Sequence, residues 1–379
     1  MTPWTPERLN TMSRCGDELA DATVAEAASV HGMLSRISAA FRSFAADDAE
    51  MPPDAPRPLL DFAHTTRELP PGVDPQRIQR GAQVMLDNAT LCAVVLLLKS
   101  LPSGYAAPRL ANILHMTHNL EERPYRRALG VLQMLVNISA PGAFVPGGRA
   151  VVTAQKLRLL HAGVRRIVRE KNPGFEANFG TPVSQLDMVF TTMTFSVHVI
   201  DGLAALGVAL SPDEADDYFH LWRMYGLLQG IRPEWMPVSP QEGRAFCEAY
   251  AAQAFSPAQD NPHGVTLTQA DLRMMRRLLP WPLRWLGLGL APRVYLVRLL
   301  GEAGAARVGV TPLPGHAALA WLVLRLPVIW HCFWNAATPD RKAHARVSRL
   351  FFRVLIDDAW GDEVRFSVPE HLSDLRKLA

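Results

Sequence analysis

At several places along the chain a hydroxyl residue stands directly before proline, among them Thr181-Pro182, Ser211-Pro212, Ser239-Pro240 and Thr338-Pro339. A serine or threonine oxygen takes up a free N–H at a helix start, and proline at the first helical position lacks the N–H that would otherwise go unpaired. The pairs therefore predict four helix starts. Glu214 and Glu242 follow Ser211 and Ser239 at the spacing of a capping box. Between such starts apolar residues recur at three- and four-residue steps, as in Leu157, Leu160, Val164 and Val168, or Leu129, Leu132, Leu135 and Val136. Sustained period-two alternation, which half-buried strands need, is absent.

The pattern predicts an all-α fold with helices near 16–46, 77–100, 105–119, 124–138, 150–171, 182–206, 212–229, 240–255, 268–279, 283–303, 316–334 and 339–357. The stretch "MPPDAPRPLL" (51–60) reads as a linker and "SPAQDNPHG" (256–264) as a long surface loop. The expected organisation is an N-terminal helical arm with its linker over 1–58, a main body over 59–280, and a helical C-terminal portion over 281–379 packed on it.

Composition narrows function by exclusion. With 379 residues, 49% hydrophobic and 20% charged, the chain can bury a large core. A net charge of +3 is too small to demand a nucleic-acid partner, and none is expected. Cys15, Cys92, Cys247 and Cys332 are scattered without a CxxC, which suits reduced thiols in a cytoplasmic protein. The N-terminus shows no secretory pattern, so a cytoplasmic location is expected. Flavin, nucleotide, serine-hydrolase and zincin chemistry find no anchoring motif. The apolar runs "ATLCAVVLLLK" (89–99) and "AALAWLVLRLPVIWHCFW" (317–334) read as core helices, the first too short to span a bilayer and the second interrupted by Arg325 and Pro327. The stretch "LLPWPLRWLGLGLAPRVYLVRLLG" (278–301) mixes Trp/Tyr rings with arginines and leaves peripheral membrane contact open.

His161, inside "KLRLLHAGVRRIVREK" (156–171), invites chemistry most directly. On a helical wheel it shares the stripe of Leu157, Leu160, Val164 and Val168, while Arg158, Arg165 and Arg169 line an adjacent face. One reading is a core histidine bonded to a carbonyl, with arginines in ion pairs or on a solvated face. The other is a neutral imidazole ligating haem iron, with neighbouring arginines neutralising the propionates. His115 and His118, at i and i+3, form either a partly exposed helix end or a distal-side ligand completing a bis-histidine iron. His198 is a core histidine or one that faces the haem.

From about 60 to 280 the chain resembles the rubber oxygenase family, which joins latex clearing proteins with MpaB-type oxygenases. The resemblance is carried by "LPSGYAAPRLANIL" (101–114), "YRRALGVLQMLVNI" (125–138), "KLRLLHAGVRRIV" (156–168), "GTPVSQLDMVFTTMTFSV" (180–197) and "YFHLWRMYGLLQGI" (218–231), in family order and spacing. It implies a globin-like helical bundle core enclosing a haem pocket, with additional N- and C-terminal helices. It also implies haem b as cofactor, His161 as its axial iron ligand, and Arg158 and Arg165 as neighbours of the cofactor.

The family's distal element is an arginine followed three residues on by lysine and four residues on by threonine. Here the arginine falls on Arg127, with Arg126 an adjacent competitor, and Gly130 and Val131 stand in the lysine and threonine positions. A lysine able to cap the iron and a hydroxyl able to orient oxygen are both lost; Arg127 keeps guanidinium donors for oxygen or a propionate. Asp187 falls in a matched segment with a structural role, and Glu121 and Glu122 are candidates for the carboxylate base invoked in the family. The implied function is a haem b-dependent oxygenase that uses O2 on a hydrophobic alkene. A smaller isoprenoid, lipid or aromatic substrate is served as well as a polymer. The competing class is a non-catalytic haem- or lipid-binding sensor or carrier at a membrane surface.

Overall fold

The computed structural model describes residues 3–37, 55–116, 124–278, 281–285 and 288–313, with Ile329 and Phe333 besides. Among these residues every regular element is helical. In chain order they are α1 (Pro6–Ser13), α2 (Glu18–Ser29), α3 (Arg57–Thr65), α4 (Pro75–Asp87), α5 (Ala89–Val95), α6 (Leu101–Tyr105), α7 (Pro108–Met116), α8 (Pro124–Ile138) and α9 (Arg149–Lys171). There follow α10 (Phe175–Phe179), α11 (Gln185–Phe195), α12 (Val197–Ala205), α13 (Pro212–Leu228), α14 (Pro240–Ala254), α15 (Pro262–Leu278), α16 (Trp281–Trp285) and α17 (Ala291–Arg307). A π turn, Leu96–Ser100, joins α5 to α6. The all-α expectation is met.

The hydroxyl–proline signals act as N-caps at two of four sites. Ser211 caps α13 in a complete capping box with Glu214. Ser239 caps α14, although the Glu242 carboxylate accepts from the Val238 N–H at 2.9 Å instead of turning back to Ser239. Thr181-Pro182 does not start a helix. Its hydroxyl donates to the Arg14 carbonyl at 2.9 Å and its N–H to the Ser13 carbonyl at 2.9 Å, which pins the end of α1. The helix opens three residues later, where Ser184 and Asp187 form the capping box. Thr338-Pro339 and the predicted helices 316–334 and 339–357 lie outside the described residues, Ile329 and Phe333 excepted.

Several predicted long helices are broken. The segment predicted at 77–100 bends by 82° at Asn88, whose side-chain amide donates to the Val84 carbonyl at 2.9 Å. The one predicted at 182–206 kinks at Ser196 (φ −96, ψ −90). The helix predicted from 16 to 46 stops at Ser29, and Gly32 then takes a left-handed φ of 71°. The expected loop at 256–264 is shorter, because buried Asn261 donates to the Tyr105 carbonyl at 2.7 Å and accepts from the Gly264 N–H at 3.1 Å, starting α15 at Pro262. The helix placed at 283–303 begins instead at Ala291, after a 3-10 turn at Leu288–Leu290.

Packing follows the apolar stripes. Helix α11 is almost wholly buried and, with α12, forms a stretch long and apolar enough to cross a membrane; 72% of that window is inside the protein. The run 89–99 places Leu91, Cys92, Val95, Leu96 and Leu98 in the main core, as read from the sequence. Helices α4 and α13 approach closely at Gly81, where an added Cβ would lie 2.4 Å from the Asp217 carbonyl oxygen. Helices α1 and α2 are tied to this body through Gln185, whose N–H donates to the Cys15 carbonyl and whose amide donates to the carbonyls of Gly16 and Gly230.

Candidate active site

The site grows from the hairpin of α8 and α9. The turn depends on glycine: Gly147 has φ 73°, and a Cβ on Gly148 would come within 2.5 Å of the Ala143 carbonyl oxygen. Beyond it Asn137 donates to the Thr153 hydroxyl at 2.9 Å, fixing the antiparallel register.

His161 is partly exposed, yet its Nδ1 is buried and has no hydrogen-bond partner. Burial, with the Arg165 charge adding to it, lowers the imidazole pKa to about 4, so the ring is neutral near pH 7. Gly130 is exposed and a Cβ there would meet nothing within 4 Å, so open space lies over that position of α8. Val131 is partly buried against the main core. Lys156, also on α9, is lowered to about 8 by burial. The side chain of Arg127, like His118, Glu121 and Glu122, lies outside the described residues.

The other histidines sit apart in their packing. His115 of α7 stacks on His263 of α15 with centroids 3.8 Å apart. His198 of α12 meets Phe190 edge-on at 6.0 Å, has a buried unpartnered Nδ1, and is lowered to about 3, chiefly by burial and next by the Lys99 charge.

Arg158 and Arg165 are engaged elsewhere than the resemblance implied. Arg158 makes two contacts to Asp17, at 2.7 and 2.9 Å, with 11% and 4% of the two side chains exposed. Arg165, fully buried, holds Asp21 at 2.6 Å and donates to the Val183 carbonyl at 3.0 Å. Both guanidinium groups are thus paired with carboxylates of the N-terminal segment, Asp17 buried and Asp21 partly exposed. These two carboxylates of α2 and its cap were not singled out in the sequence. They lie in the acidic stretch "CGDELAD" (15–21), four residues apart, whereas the arginines they meet on α9 are seven apart. Asp187 is structural as read: it caps α11, pairs with Arg109 at 2.9 Å and accepts from the Tyr250 hydroxyl at 3.4 Å.

Among the described residues no three His, Cys, Asp or Glu side chains converge on a metal position. Haem iron takes an imidazole ligand, and a neutral ring with a buried, unpartnered nitrogen fits that requirement.

Residues 82–328 match the family described as the ER-bound oxygenase mpaB/B'/Rubber oxygenase catalytic domain. The chain belongs to that family of helical oxygenases, and so to the oxidoreductases. Among its relatives is the rubber oxygenase of Streptomyces sp. (strain K30), 26% identical over 327 residues, which cover 80% of this chain and 79% of that protein. The fold is shared with latex clearing protein in its closed state, at a TM-score of 0.70 and 22% identity, over 89% of this chain and 91% of that one.

Proposed function

We propose that the chain is a haem b-dependent oxygenase that oxygenates or cleaves a carbon–carbon double bond of a hydrophobic alkene, an isoprenoid, prenyl chain or lipid. The reading is carried by the neutral His161 ring on α9, whose buried Nδ1 has no partner. His161 would hold the haem iron; the haem, when bound, would supply the oxygen-activating chemistry.

The chain's own residues do the rest. His161 presents a ring nitrogen free of a proton down to about pH 4, so proton competition for the ligand is weak near neutrality. Gly130 leaves room where a side chain would crowd a bulky substrate. Val131 offers no hydroxyl, which leaves Arg127 as the hydrogen-bond donor of the distal element. Leu157 and Val131, packed on the main core, would offer an apolar lining suited to an alkene. Arg158 and Arg165, through Asp17 and Asp21, anchor α2 to the helix that bears His161.

The test is optical. Purified protein is expected to show a Soret band, and His161→Ala is expected to lose or shift it while exogenous imidazole restores it. An unchanged Soret band in His161→Ala overturns the ligand assignment. Oxygen uptake and carbonyl products over a series of prenyl alcohols and polyisoprene then report the substrate class. Uptake restricted to long polymer would rule out short prenyl chains and lipids as substrates.

A further inference from the structure

The described tryptophans divide sharply. Trp4, Trp222 and Trp235 are buried at 3%, 1% and 8%, whereas Trp281 and Trp285, at the two ends of α16, are 72% and 81% exposed. Leu290, just beyond, is 45% exposed. Large rings left in water cost free energy unless something covers them.

Their surroundings are basic without counter-charge. Between Asp271 and Glu302 the sequence has six arginines and no acidic residue, in a chain whose whole net charge is +3. Arg273, Arg276 and Arg277, at i, i+3 and i+4 on the last turns of α15, are exposed, as is Arg284 of α16. None of these four guanidinium groups has an ion pair or hydrogen bond among the described residues, although the protein's other arginines repeatedly find carboxylates.

We propose that the end of α15 together with α16 docks the protein peripherally on an anionic lipid surface, with Trp281 and Trp285 among the headgroups and Arg273, Arg276, Arg277 and Arg284 against lipid phosphates. Tryptophan is favoured at the bilayer interface because its ring is apolar and its N–H finds polar partners there. Arginine stems lie along apolar surface while their heads reach phosphate. Lipid answers both halves of the patch; a nucleic acid would satisfy the arginines but leave Leu290 against sugar and phosphate. This inference does not depend on the haem reading, since the patch is separate from the α8–α9 hairpin in sequence and its assay needs no activity.

Flotation of the purified full chain with phosphatidylcholine vesicles, with and without phosphatidylglycerol, tests it. Binding is expected to the anionic vesicles only, to weaken with salt, and to quench tryptophan emission when brominated acyl chains are used. Trp281→Ala with Trp285→Ala is expected to weaken partitioning by about tenfold or more with an unchanged melting temperature, because affinity scales with buried apolar area. Arg276→Gln with Arg277→Gln gives an independent variant if the tryptophan double variant does not fold, and is expected to flatten the salt dependence. No partitioning into anionic vesicles, equal partitioning by the folded variants, or tighter binding to single-stranded oligonucleotide than to vesicles overturns the proposal.

Discussion

His161 carries a pH signature of its own. Its pKa in the folded protein is about 4, below the ordinary 6.5 of an unfolded histidine. As pH falls, the unfolded chain takes up a proton first, so the ring's contribution to stability is complete above about 6.5 and is lost toward pH 4. His198, lowered to about 3, acts in the same direction. Urea midpoints measured at neutral pH and at mildly acidic pH should therefore converge for His161→Gln and converge further when His198→Gln is added. Equal pH slopes in all three proteins would exclude a buried neutral ring. Arg165→Met is expected to cost about 3 kcal/mol, the lower end for breaking a buried pair, because Asp21 keeps 25% of its side chain exposed. A double-mutant cycle with Asp21→Asn measures how much of that loss is shared; additivity would deny the pairing.

At the level of elements, helix starts were legible wherever a single side chain decides them. Ser211 and Ser239 cap as their sequence says, because the capping oxygen and the proline act within one turn. Thr181 reads the same and serves α1 instead, since its partners, Ser13 and Arg14, lie far away in sequence. Helix breaks were illegible for a related reason: Asn88 and Ser196 sit inside unbroken apolar periodicity, and only tertiary packing selects the bend. The site divides in the same way. The ligand candidate follows from the local pattern around His161, whereas the partners of Arg158 and Arg165 come from a segment about 140 residues away in sequence. Two substitutions check the element packing. Ser184→Ala removes a cap that also receives Arg109 at 2.9 Å, for an expected loss of about 2 kcal/mol. Gly81→Ala forces α4 off the Asp217 carbonyl and is expected to cost about 3 kcal/mol by thermal unfolding. A neutral Gly81→Ala would mean that α4 and α13 can separate freely.

Across the whole molecule, the helix that presents His161 is held from several sides: α2 and α3 pack on Leu159 and Ala162, and α7 and α10 on Val164, Ile167 and Val168. Asp17→Asn with Asp21→Asn is expected to speed limited proteolysis within the first 37 residues and to broaden the Soret band of haem-loaded protein. Unchanged cleavage would show that α2 is held by apolar contacts alone.

The match to the oxygenase family opens at residue 82, but the ion pairs that quiet the interior of α9 come from Asp17 and Asp21. A fragment cut at that boundary would carry two stranded positive charges inside its central helix, and the electrostatic strain would fall on the very segment that presents His161. Dividing this chain at the homology boundary would therefore part Arg158 and Arg165 from the carboxylates that pair with them.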